Sequence, residues 1–201
     1  MSKQMRTRKR LLVTIAVLSI FLASLCGVAQ AKYIHTAQLQ GSVTVKADLG
    51  EVTVKEHQAI RKADGSYELG SEEVTSNSYI LIPGLDVPKD PFVTVTNKSP
   101  IEAYVFVEVV STLGESAITY EIDTDNWTEL GITGKNSGKV YAYKNPVSAN
   151  IGPIYILKDN HVTVGQKLLH MDTTDLGLTF YASMGQVAAG NTQADVYNSI
   201  T

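Results

Sequence analysis

Residues 78–110, SYILIPGLDVPKDPFVTVTNKSPIEAYVFVEVV, decide the fold. Ile80, Leu81 and Ile82 form an apolar run that stops at Pro83-Gly84, and Phe92-Val93-Thr94-Val95 starts a second run after Asp90-Pro91. Asn97-Lys98-Ser99-Pro100 turns the chain, and residues 101–110 are almost wholly β-branched or aromatic. Such side chains suit a pleated, half-buried surface, and Gly, Pro and Asn clusters mark its corners. The stretch therefore reads as strands with Pro/Gly-punctuated connections, and residues 101–110 as a strand buried on both faces. It holds no catalytic constellation.

The same pattern extends outward. Residues 36–49 alternate: Ala37, Leu39, Gly41, Val43, Val45, Ala47 and Leu49 fall on one parity, with polar residues between them. Period-two alternation predicts a strand with one buried face. Val52 and Val54 resume in the opposite parity after Gly50, so a new strand or a bulge begins there. Asp64-Gly65, a preferred tight-turn pair, predicts a hairpin over residues 59–69, and residues 70–78 read as a polar loop. Further short strands are expected at 118–122, following 123–127, and at 140–143, 154–157, 162–164 and 178–182, with one short helical turn near 192–197. Closely spaced strands without amphipathic helices between them predict an all-β, single-domain antiparallel β-sandwich.

The start of the chain reads as a targeting segment, residues 1–31, ahead of a β-sandwich domain at 32–201. Lys3, Arg6, Arg8, Lys9 and Arg10 precede an apolar run over 11–25, and Ala29-Gln30-Ala31 is a small-x-small pattern with Lys32 following the cut. The apolar run is shorter than the roughly 20 residues that span a bilayer, so membrane association is expected only through the uncleaved leader. The single cysteine, Cys26, lies inside the leader, and the bulky Leu25 before it disfavours lipidation. Cleavage leaves 170 of the 201 residues, without cysteine and hence without disulfides.

Charge narrows the function. The chain has 17 Lys+Arg and 20 Asp+Glu; the leader holds five of the basic residues and no acidic one, which leaves 12 against 20, a net charge of −8. An acidic domain of this kind excludes nucleic acid as a partner, since phosphate binding needs a basic face. It suits a secreted protein of the extracellular matrix or cell surface. His35, His57, His161 and His170 show no zinc-ligand spacing, no G-x-S-x-G elbow is present, and no cofactor is called for. Asp123, Asp125 and Asn126 place three oxygen side chains close together, a weak calcium candidate without the glycine and distal glutamate of an EF-hand loop. A turn whose Asp and Asn side chains bond their own backbone explains it more simply.

Three features together resemble a known family. They are the basic leader ending in Ala29-Gln30-Ala31-Lys32-Tyr33; the block Ile82-Pro83-Gly84, Asp90-Pro91, Val93-Thr94-Val95-Thr96-Asn97 running into Ile101-Glu102-Ala103-Tyr104-Val105; and the closing Tyr181-Ala182, Gln186, Ala188, Ala194 segment. Together they look like the TasA/camelysin group of Gram-positive exported proteins. The resemblance implies a leader cut by a SipW-type signal peptidase, a jelly-roll-like β-sandwich, and self-association into cell-surface or biofilm-matrix fibres. It also implies that the N-terminal strand of one subunit completes the sheet of the next, which makes Ala37, Leu39, Gly41, Val43, Val45, Ala47 and Leu49 the donor-strand candidates. A strand left unpaired beside an open sheet edge is a liability that pairing with a neighbour removes, and head-to-tail pairing does not close. Some members of the group are described as metalloproteases, and the fold class also hosts monomeric adhesins and binding modules. The structural, non-enzymatic reading is the one expected here.

Overall fold

A computed structural model describes residues 34–38, 49–98, 101–113, 118–166 and 176–201, all within one compact unit, Tyr33–Thr201. The chain runs β1 (Ile34–Gln38), β2 (Gly50–Arg61), β3 (Tyr67–Val74), β4 (Val87–Pro88), β5 (Phe92–Asn97), β6 (Ala103–Ser111), β7 (Ile118–Thr119), β8 (Trp127–Thr133), β9 (Lys139–Tyr143), β10 (Ile151–Tyr155), β11 (His161–Val164), β12 (Leu178–Gln186) and a C-terminal helix, α1 (Gln193–Ile200). The strands form antiparallel sheets of order β1-β12-β6-β9-β8, β10-β5-β2-β3 and β4-β11-β7. The fold is an all-β sandwich.

Alternation builds the inter-sheet core. In β2, Val52 and Val54 point inward and pair with Val95 and Val93 of β5. Val105, Val107 and Val109 of β6 share that core with Phe180, Ala182 and Met184 of β12. Each such side chain removed from water contributes about 1.5–3 kcal/mol. Trp127 is buried at the start of β8, where its indole N–H donates to the Tyr155 carbonyl at 2.7 Å and its ring meets Tyr143 edge-on.

The opposite parity of β6 is also buried, as its composition requires. Phe106 faces α1 together with Val140 and Ala142 of β9, beneath Val196, Tyr197 and Ile200. Thr192 caps this helix: its hydroxyl oxygen accepts from the Asp195 N–H, and the Asp195 carboxylate accepts from the Thr192 N–H, a reciprocal capping box. That cap and the apolar face carry the helix to Ile200, past the single turn expected over 192–197. Close packing depends on Gly185 of β12, where an added Cβ would stand 2.5 Å from Val196 Cγ1.

The one charged residue inside this apolar strand, Glu108, is buried and fully used. One carboxylate oxygen accepts from the backbone N–H groups of Asn136 (2.7 Å) and Gly138 (2.9 Å). The other accepts from the Asn136 side-chain amide at 2.9 Å, with the Tyr197 hydroxyl at 3.4 Å. The β8–β9 turn thus closes over the carboxylate, so tightly that a Cβ at Gly134 would lie 2.3 Å from Glu108 Cδ.

Several boundaries differ from the sequence reading. Residues 80–82 are not a strand: the segment crosses between sheets, Ile80 is 60% exposed, and its N–H donates to the Tyr67 hydroxyl rather than to a ladder. Pro83 ends the run and supplies no donor. β3 instead extends through most of the expected loop, to Val74, because an edge strand tolerates outward charges such as Glu73, which pairs with Lys55 at 2.9 Å. The strand expected at 118–122 is reduced to Ile118–Thr119, with an isolated bridge from Ile122 to Leu157. The 59–69 hairpin is present, its turn held by Asp64, whose carboxylate accepts from the Ser66 N–H and hydroxyl.

Candidate functional site

The first place to examine is the strand from which self-association is expected. β1 lies at the edge of the five-stranded sheet and pairs antiparallel with β12, Ile34 opposite Gly185 and Gln38 opposite Tyr181. Ala37 stands opposite Ala182. The pairing is therefore within the chain over the described residues of the strand expected at 36–49, and it begins earlier, at Ile34. Leu49 is buried in the inter-sheet core beside the start of β2. Leu39, Gly41, Val43, Val45 and Ala47 lie outside the described residues, as do Ala29, Ala31 and Lys32 at the cleavage position and His170.

The acidic loop comes together as a turn. Asp123 Oδ1 accepts from the Asp125 N–H at 3.0 Å, and Oδ2 accepts from the Asn126 amide at 2.7 Å. The Asp123 carbonyl accepts from the N–H groups of Asn126 and Trp127, and the Lys144 ammonium donates to the Thr124 carbonyl at 2.6 Å. Both Asp123 carboxylate oxygens are committed to the turn, with the Lys144 ammonium beside it. Among the described residues no group of three His, Cys, Asp or Glu side chains is placed to hold a metal ion.

A third place was not legible in the sequence. Glu56 ends the inward row of β2, and Lys89 follows β4; they meet at 2.7 Å through Glu56 Oε2, both buried. The Lys89 ammonium stands 5.6 Å from the Tyr79 ring centre and 6.0 Å from that of Phe180, within cation–π range. Burial, then the nearby carboxylates of Glu56 and Asp90, pushes the Tyr79 phenol well above its ordinary range, and its hydroxyl donates to the Pro88 carbonyl. Next to this pair, Asp90 is buried and accepts from the His57 N–H at 2.9 Å, with its other oxygen 2.5 Å from His57 Nδ1.

The backbone geometry explains why these groups converge. The β2–β3 ladder shifts register between His57 and Ala59, and Asn77 fills the gap: its amide donates to the His57 carbonyl and accepts from the Ala59 N–H. The side chain thus stands in for a missing stretch of partner strand. Glu56, Asn77, Tyr79 and Lys89 of this cluster line a cavity of about 510 Å³, whose walls also include Leu81, Val87, Ile118, Val162 and Leu178. Glu56 Oε1 is buried and has no hydrogen-bond partner among the described residues.

A buried Lys–Glu pair resists disruption, since removing one partner strands the other at a cost of about 3–5 kcal/mol. The sequence signal was weak: Lys89 and Glu56 are 33 positions apart, and a charged dipeptide between prolines reads as an exposed corner. Set against protein-family models, curated proteins and solved structures, the chain matches none of them.

Proposed function

We propose that this protein is a secreted structural subunit that self-associates into cell-surface or biofilm-matrix fibres, its first strand serving as the piece exchanged between subunits after removal of the leader by a SipW-type signal peptidase. The supporting observation is the position of β1. It is an edge strand of five residues, it belongs to the first segment after the leader, and it joins the sheet through β12. A β12 edge offered by one subunit accepts the same segment from another by the same backbone ladder, at the same register. Since donor and acceptor are different surfaces, repetition gives an open chain. The acidic composition keeps such subunits dispersed until pairing is complete.

The test is a protein lacking residues 32–48, examined by electron microscopy and by thermal unfolding. It is expected to form no filaments and to unfold at lower temperature, and a synthetic peptide of residues 32–48 added in trans is expected to restore the melting temperature. Filaments unchanged by the deletion would overturn the strand-exchange reading. A deleted protein as stable as the full one, and indifferent to the peptide, would show that the β12 edge needs no donor.

A further inference from the structure

We propose that Lys89 becomes joined to Asn160 by an amide bond between its Nζ and the Asn160 side-chain carbonyl carbon, with Glu56 as the proton carrier. The amine is the first support. Lys89 is buried, its Nζ lies 2.7 Å from Glu56 Oε2, and the rings of Tyr79 and Phe180 flank it. An enclosed amine beside a carboxylate that can take its proton is the arrangement of an activated nucleophile. Register is the second. β4 and β11 pair Val87 with Val162 and Pro88 with His161, and the Lys89 N–H makes the next rung, donating to the Asn160 carbonyl at 2.9 Å. Residues opposite each other on an antiparallel ladder have Cβ atoms about 5 Å apart, within the reach of a lysine side chain. The third support is what is left unmade. Among the described residues, the buried side-chain oxygens without a hydrogen-bond partner are Glu56 Oε1 and Asn160 Oδ1, one on the carrier and one on the acceptor. Asn160 is also held at a positive φ, 54°, behind Asp159 at 55°, a conformation uncommon outside glycine that persists where the surrounding structure imposes it.

The reaction begins with one proton passing from the Lys89 ammonium to Glu56 across their contact, which exchanges two buried charges for none. The free Nζ then forms a bond to Asn160 Cγ, and the Cγ–Nδ2 bond breaks. Of the two protons left on the amine, one stays on the new amide and the other leaves with Nδ2 as ammonia. Glu56 keeps the first proton and ends as a neutral acid. It is then a donor while Asn160 Oδ1 remains an acceptor, so the two oxygens without partners acquire complementary roles. No further reactant enters. The bond ties the end of β4 to the start of β11 in a domain whose sequence offers no disulfide, and it rests on none of the observations behind the fibre reading.

The test is mass spectrometry of the purified protein, intact and after denaturation and trypsin. The intact mass is expected to fall short of the sequence mass by one ammonia, and the tryptic peptide of residues 63–98 is expected joined to that of residues 159–167, since acylated Lys89 is no longer cut. Asn160→Gly accepts the positive φ and removes only the acyl group, so it is expected to restore the full mass and release both peptides. Asn160→Asp is expected to keep the joined product, with water lost in place of ammonia. Glu56→Gln is expected to stay unjoined; where that variant does not fold, the two Asn160 variants decide. Folded wild-type protein that yields residues 63–89 and 159–167 only as separate peptides would overturn the proposal. So would a joined product in Asn160→Gly, or a wild-type product lighter by water, which would place the bond on Glu56.

Discussion

Glu108→Ala removes the carboxylate on which the β8–β9 turn and the C-terminal helix both rest. Four donors lose their acceptor: the Asn136 N–H, the Asn136 side-chain amide and the Gly138 N–H, at 2.7, 2.9 and 2.9 Å, and more weakly the Tyr197 hydroxyl at 3.4 Å. Asn136 is exposed, so its groups recover water and each forfeits about 1 kcal/mol; Gly138 is buried, and its stranded N–H costs about 1–3 kcal/mol. The sum is about 3–5 kcal/mol, a large share of the 5–15 kcal/mol by which a domain of this kind is stable. Glu108→Gln keeps the shape and one good acceptor, while Asn136 and Tyr197 have rotors that adapt, so about 1–2 kcal/mol is expected. Urea unfolding followed by the fluorescence of Trp127, the only tryptophan, measures both variants. The midpoint should fall in the order wild type, Gln, Ala at unchanged slope. An alanine variant within about 1 kcal/mol of wild type, or a glutamine variant as damaged as the alanine one, would refute the reasoning.

Other expectations follow from the same geometry. Gly185→Val drives a side chain into Val196 and Ile200, so thermal unfolding should show a loss of about 1–3 kcal/mol, and α1 amides should exchange faster than those of β2; unchanged exchange in α1 would count against the packing described. Burial first, then Glu129 for Tyr141 and Glu108 for Tyr197, raises both phenols to about 12, above the ordinary 10. The folded state therefore holds protons that the unfolded state releases: stability is flat below pH 10 and falls between pH 10 and 12, by at most about 1.4 kcal/mol per pH unit for each tyrosine. Tyrosinate absorbance rising fully near pH 10 with the fold intact would contradict this. Asp123→Ala should cost about 1–2 kcal/mol through loss of its turn, and neither calcium nor a chelator should move the melting temperature of the unaltered protein; a calcium-dependent rise would reinstate the loop as a metal site.

The sandwich was legible because its strands are written in local periodicity. Val52 and Val54, the 92–95 run and the two-sided apolar character of residues 101–110 each follow from which faces are buried. Residues 80–82 misled because an apolar run without a ladder partner has the same composition as a strand. Leu81 packs against the core while the Ile80 beside it is exposed, an outcome decided by a crossing between sheets. The Glu56–Lys89 pair was illegible for a related reason: a buried charge is recognisable only with its partner, and the partner lies 33 positions away on a segment of another sheet. Asp123 was read correctly as a turn because its hydrogen bonds span two and three residues.

The ladder between β1 and β12 joins nearly the first residues of the sheet to nearly the last, Ala37 to Ala182. A chain synthesised from its N-terminus must hold β1 without a partner until β12 exists, so the edge is filled by competition. A tethered segment reaches its own edge at an effective concentration of the millimolar order, far above that of free subunits in dilute solution. On the proposed strand exchange, self-closure would be the default at low concentration, and exchange between subunits would win only where subunits are crowded or the first segment is held away from its own sheet. Assembly would in that case be governed by where the protein is released and how densely, with no change in any side-chain contact.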